Sequence, residues 1–242
     1  MELTGERTAP GIWHENYWFR RHEAAYLATL PLTRGRRVLE AGCGEGYGAA
    51  MLRDEDADIV AVDLDESTTR HAANCYALPA VCGDLVALPI RDASFDSVVS
   101  LQTIEHLWDQ PGFLAECARV LVPHGLLTLT TPNRLTFSPD WRPGTPPTNP
   151  FHSHELDAAE LTNAVAPWFD VIELVAVEHG ARIAAYEQRH GSLVAAQQAS
   201  PPDQWDGELA RFVADLDATD FVVSADDVDG GLDLFVVAER RP

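Results

Sequence analysis

The sequence contains no lysine. Its 17 basic residues are all arginine, against 38 acidic residues, and the formal net charge is −21. A chain so short of positive charge cannot present a broad basic surface, which excludes nucleic acid or an anionic membrane as its main partner. Cysteine is scarce as well. Cys43, Cys75, Cys82 and Cys117 form no C-x-x-C pair, so neither a zinc site nor a disulfide framework is indicated, and all four read as small buried residues. No apolar run approaches the length needed to cross a bilayer, and the opening Met1-Glu2-Leu3-Thr4-Gly5-Glu6 lacks the basic and apolar regions of a secretory leader. A cytoplasmic location is expected. No internal repeat is present. What remains is an ordinary globular composition, 46% hydrophobic over 242 residues, enough for one sizeable core and one domain.

The chain is organised around Val38-Leu39-Glu40-Ala41-Gly42-Cys43-Gly44-Glu45-Gly46-Tyr47-Gly48. A short apolar strand runs into a glycine loop, and Ala49-Ala50-Met51-Leu52 then opens a helix. Glycine lets the backbone turn sharply and approach a ligand, and the helix start offers free N–H groups to it. Two nucleotide-binding classes compete for this loop. The dinucleotide fingerprint G-x-G-x-x-G/A fails when counted from Gly42, because its last position falls on Tyr47, and passes from Gly44, where it falls on Ala49. The second class is the E-x-G-x-G-x-G loop of class I S-adenosylmethionine (SAM) methyltransferases, which Glu40 to Gly46 resembles position by position. Glu40 favours the second, because an acid there repels a pyrophosphate and attracts the cationic methionine part of SAM.

Further strands and acids follow in order. Asp58-Ile59-Val60-Ala61-Val62-Asp63 is a strand ending in an acid. Asp63, with Leu64 beside it, stands where a carboxylate accepts hydrogen bonds from ribose hydroxyls, a feature that serves NAD and SAM alike. A helix is expected from Glu66 to Ala77, a strand near Pro79-Cys82, and a fourth strand at Phe95-Leu101. Pro111 to Val122 reads as a helix closed by Pro123-His124-Gly125, and Leu126-Thr131 as a fifth strand before Pro132-Asn133. The segment from Leu135 to Phe151 is rich in proline, and long loops of this kind are usually functional or disordered. A helix is expected from Phe151 to about Ala166, a sixth strand at Val171-Val177, a helical insertion over 183–217 interrupted at Pro201-Pro202, and a closing strand at Leu232-Ala238.

These motifs together resemble a class I SAM-dependent methyltransferase, over about residues 36–180. Phe95-Asp96-Ser97-Val98 is similar to the family's F-D-x-V, and Arg119 to Leu127 to its R-V-L-x-P-G-G-x-L, with His124 in place of the first glycine. The resemblance implies an α/β, Rossmann-like, seven-stranded sheet with its last strand antiparallel and helices on both faces. It implies SAM at the carboxyl edge, held by Glu40, Gly42, Cys43, Gly44, Asp63, Leu64 and Gln102, with Asp84 receiving the adenine amino group and Leu85 stacking on the ring. An N-terminal helix over 10–30 would form a lid, bringing Tyr17 and Arg21 to the methionine carboxylate. The stretch from Thr131-Pro132-Asn133 to Asn149-Pro150-Phe151-His152 also looks like actinobacterial O-methyltransferases that modify sugars and polysaccharides. The expected partner is therefore a small molecule or oligosaccharide, and a homodimer is an expected assembly.

A sugar hydroxyl is a poor nucleophile at neutral pH, so a general base or a metal is expected. His106 is the first candidate base, because it follows the fourth strand. Glu105-His106 resembles the metal-binding pair of ubiquinone-type O-methyltransferases, and on that resemblance the two would hold Mg²⁺, although Gln102 stands where those enzymes carry an acid. His152 and His154, two apart, would face one side of an extended segment at roughly 6.5–7 Å and offer a base, a substrate contact or, with Glu155, a metal ligand. Phe137, Trp108 and Trp141 are candidates to stack on the acceptor, and core packing is the commoner role of such residues. The active-site loop is expected over 135–155. Competing functions are an N-, C- or O-methyltransferase of a non-sugar metabolite, an NAD-dependent oxidoreductase using Gly44–Ala49, and a catalytically silent SAM-binding subunit. The NAD reading leaves Glu40, Asp84 and Pro132-Asn133 unexplained.

Overall fold

The computed structural model describes residues 8–242. A 3-10 turn, Trp13–Glu15, leads into α1 (Asn16–Thr33). Strands and helices then alternate through β1 (Arg37–Ala41), α2 (Tyr47–Asp54), β2 (Asp58–Asp63), α3 (Glu66–Tyr76), β3 (Ala80–Cys82), β4 (Phe95–Leu101), α4 (Gln110–Val120) and β5 (Leu121–Pro132). The second half carries α5 (Arg134–Phe137), α6 (Ala158–Val165), β6 (Phe169–His179), α7 (Ala181–His190), α8 (Leu193–Gln198), α9 (Gly207–Ala214), β7 (Phe221–Ser224) and β8 (Asp233–Arg240).

The strands form one sheet in the order β3-β2-β1-β4-β5-β8-β6-β7. The first five run parallel, and β8 lies antiparallel between β5 and β6. Alternation along each strand divides two cores. Leu39, Val98 and Val236 enter one, while their neighbours Val38, Val99 and Val237 enter the other. Helices α4 and α6 cover the first face. Helices α1, α2 and α7 to α9 cover the second, with Ala72 of α3. The expected α/β architecture with an antiparallel last strand is the one observed. The sheet has eight strands, one more than expected, because the four-residue β7 adds to the edge of β6.

Boundaries differ where capping or a bulge intervenes. The helix expected from Phe151 begins at Ala158, where Asp157 and Glu160 form a reciprocal capping box. Strand β5 starts at Leu121, and His124 takes a left-handed φ of 63° where the family pattern has glycine. The insertion is three helices broken by residues 199–206. Asn133 is fully buried, and its amide reaches the carbonyls of Val228, Asp229 and Gly231, tying the β5 end to the loop before β8. Among the described residues no helix is long and apolar enough to cross a membrane.

Candidate active site

The glycine loop lies between β1 and α2, at the carboxyl edge of the sheet. Gly42 has φ 87°, and a Cβ there would sit 2.4 Å from the Thr103 hydroxyl, so glycine is required on both counts. Asp63 braces the loop: its Oδ2 accepts from the Gly44 N–H at 3.0 Å, and its Oδ1 accepts from the Asp65 N–H at 3.0 Å. The carboxylate is thus oriented at the end of β2 before any ligand arrives.

A cavity of about 460 Å³ opens above this loop. Gly42, Cys43 and Gly44 line its floor, together with Asp63, Leu64, Asp84 and Leu85. Gln102 at the end of β4 completes the set expected there. Among the described residues no arginine lines this cavity, and Asp63, Asp84 and Glu45 do. That lining suits a cationic nucleoside, and its three carboxylates repel a pyrophosphate. The residues present therefore fit SAM and argue against NAD.

Three of the expected cofactor contacts, Glu40, Tyr17 and Arg21, fall elsewhere. Glu40 is fully buried behind the loop, accepting the Tyr26 hydroxyl at 2.5 Å rather than facing the cavity. Burial pushes its carboxyl up to about 8, against the opposing pull of the hydrogen bonds from Tyr26 and the Ala49 backbone. Tyr17 lines neither this cavity nor the next. It is fully buried, with its hydroxyl 2.7 Å from His179 Nε2. The reason is the rotation of α1, fixed where the Asn16 amide reaches the carbonyls of Val213, Ala214 and Leu216. The neighbouring residues Trp18, Arg21 and His22 face a second cavity instead.

That second cavity, about 580 Å³, adjoins the first, and Thr8, His22, Gln102 and His106 line both. Gln102 holds a left-handed φ of 54°, an uncommon conformation for a residue other than glycine, asparagine or aspartate. Its side-chain amide donates to Thr130 Oγ1 at 3.1 Å. Glu105 and His106 form a 3-10 turn after β4. Glu105 is buried, accepts from the Thr131 hydroxyl at 3.0 Å, and has its carboxyl pushed up by that burial while His106 and His152 pull the other way.

The structure brings His106 and His152 together, ring centroids 5.0 Å apart, and their ligand atoms and that of Glu105 lie within 4.8 Å of one another. His152 Nδ1 lies 2.6 Å from the buried carboxylate of Glu155. His154 departs from expectation. The chain bends at Ser153 instead of extending, so His154 is exposed, lines neither cavity, and sets its ring against Trp141 at 6.3 Å. Trp108 is 92% exposed and also outside both, whereas Phe137 lines the second cavity. The sequence carries no local signal for His22, which lies at the end of an aromatic run. Burial and the charge of Arg21 hold its imidazole down to about 3, so it is neutral at the junction.

Residues 39–129 match the family model described as a methyltransferase domain. A probable S-adenosylmethionine-dependent methyltransferase of Mycolicibacterium smegmatis is 46% identical, covering 99% of this chain and 95% of its own. Another of that description, from Mycobacterium tuberculosis, is 45% identical over 99% of this chain and 90% of its own. A Thermotoga maritima structure described as a SAM-dependent methyltransferase, possible histamine N-methyltransferase, superposes with a TM-score of 0.62 at 20% identity, covering 93% of each chain. With the cofactor cavity, the glycine loop and full-length relatives in agreement, the chain belongs to the SAM-dependent methyltransferases.

Proposed function

We propose that the protein methylates a hydroxyl of a sugar or oligosaccharide, with histidine as the base. The observation that carries this reading is that His106 borders both cavities, where donor and acceptor must meet. SAM supplies an electrophilic methyl group on a sulfonium; the chain's own tasks are alignment, exclusion of water and removal of one proton. His106 Nδ1 is 3.1 Å from the Phe151 carbonyl oxygen, which only accepts, so Nδ1 carries the proton and Nε2 is the basic nitrogen. Glu155 fixes the His152 ring in the same sense, with Nδ1–H on the carboxylate. Support for a sugar comes from a lining that mixes Trp18 and Phe137 with Thr136, Thr148 and Asn149, aromatic surface beside hydrogen-bonding groups.

A second reading is favoured by the convergence of Glu105, His106 and His152. One carboxylate and two imidazoles fit a divalent cation, Mg²⁺ as first expected or a softer ion such as Fe²⁺ or Zn²⁺, to which imidazole is better suited. Such an ion would lower the pKa of a coordinated hydroxyl. A nitrogen that holds the ion cannot also take the proton, so the two readings exclude one another at His106. The partner in either case is the acceptor itself, with no nucleic acid or membrane, and the proposed assembly is a homodimer.

The test incubates the pure protein with labelled SAM and a panel of mannose- and glucose-based oligosaccharides, with and without Mg²⁺, reading mass for one added methyl group. Product on one sugar supports the reading. SAM binding with no product on any sugar sinks it and moves the search to phenols, acids and amines.

A further inference from the structure

Arg21 is buried at 4% exposure, yet it lines the acceptor cavity. Its guanidinium carbon lies 4.9 Å from the centroid of Trp18 and 5.0 Å from that of Phe137. Held by two aromatic rings, the group has little rotational freedom to lose when a ligand arrives. Arg21 Nε approaches Asp233 Oδ2 at 3.0 Å, but this is an ion pair by distance and not an aligned hydrogen bond: Nε and Nη1 both lack a hydrogen-bond partner. A buried guanidinium with donors unmet is costly unless something completes it.

The charge balance restricts what that something is. Asp233 already offsets the arginine, and among the described residues no other arginine lines the cavity. Glu15, Glu105 and Glu155 line it as well. A carboxylate or phosphate on the acceptor would meet this acidic lining, whereas neutral hydroxyl oxygens would meet donors without added repulsion.

We propose that Arg21 is the residue that orients the acceptor, its fork of N–H groups receiving two neighbouring oxygens of a neutral polyol, and that the cavity refuses acceptors bearing a carboxylate or phosphate. This inference rests on the sugar reading above. It also moves Arg21 from the methionine carboxylate, where the sequence placed it, to the other substrate.

The test compares wild type with Arg21→Lys, which keeps the charge and loses the fork, on a neutral mannose oligosaccharide and on the corresponding uronic acid. SAM Kd is measured in parallel by calorimetry, and folding by circular dichroism. The expected result is an acceptor KM raised about tenfold, SAM Kd unchanged, and the neutral sugar preferred by wild type. If Arg21→Lys does not fold, Trp18→Leu frees one face of the guanidinium, and its acceptor KM is expected to rise with SAM Kd unchanged. A weakened SAM Kd, an unchanged acceptor KM, or preference for the uronic acid overturns the proposal while leaving the sugar reading intact. Methylation of no sugar at all removes the sugar reading and this inference with it.

Discussion

The Tyr26 hydroxyl donates to the Glu40 carboxyl at 2.5 Å, behind the glycine loop and with both side chains buried. The Glu40 carboxyl stands at about 8 in the fold against an ordinary 4.5, so folding favours its protonated form. The stability this contributes is complete below about pH 4.5 and is lost as pH rises through about 8. Wild-type Tm is therefore expected to fall between about pH 6 and about pH 9 more steeply than that of Glu40→Gln. Parallel slopes would show that Glu40 is already ionised in the fold.

A Cβ on Gly48 would lie 2.0 Å from Cζ of Tyr26. Gly48→Ala must push that ring, and overpacking of this kind costs about 1–3 kcal/mol. Urea unfolding measures the loss. Because the displaced ring also carries the Glu40 contact, the pH slope should change in the same variant. An alanine variant as stable as wild type would mean that α1 shifts freely over α2.

The three histidines should separate. His106→Ala and His152→Ala are expected to lower turnover by about 10²-fold or more with little change in SAM Kd, as loss of a base or ligand does. His154→Ala should turn over near the wild-type rate, since its ring stands outside both cavities. Steady-state kinetics with SAM binding measured separately gives the comparison, and a crippled His154→Ala enzyme would mean that the loop rearranges around the acceptor.

Glu155→Gln tests the support of His152. The amide removes the carboxylate that now sits 2.6 Å from Nδ1, and turnover should drop about tenfold or more while SAM affinity holds. Loss of SAM affinity instead would place the defect in folding of the loop.

Exhaustive chelation decides between base and metal. If Glu105, His106 and His152 hold an ion, activity disappears on chelation and returns with a divalent cation. Activity that survives chelation unchanged ends the metal reading and leaves His106 as base.

The cofactor half was legible because its signals are local. Glycine spacing, the strand-end acid Asp63 and the Gly83-Asp84-Leu85 turn each declare themselves within a few residues, and Gly42, Gly44, Asp63, Asp84 and Leu85 line the cavity. What sequence could not supply was rotation and burial. Tyr17 and Trp18 are adjacent, and only the attachment of Asn16 to the end of α9 decides which of them faces substrate. Glu40 matches the family loop, but its direction depends on Tyr26, fourteen residues earlier on another element. Spacing pairs His152 with His154 only on an extended backbone, and the bend at Ser153 between them breaks that condition. Strand β7 carries too few residues for a periodic pattern, and its pairing with β6 is set by the fold.

That short strand has a consequence for solution behaviour. The sheet's two outer strands, β3 with 3 residues and β7 with 4, are its shortest, while the 12-residue β5 is enclosed. A foreign chain seeking to add to the sheet finds brief runs on β3 and β7, and a longer one along β6 from Phe169 to Val175, which β7 does not cover and which an irregularity at Ile172 interrupts.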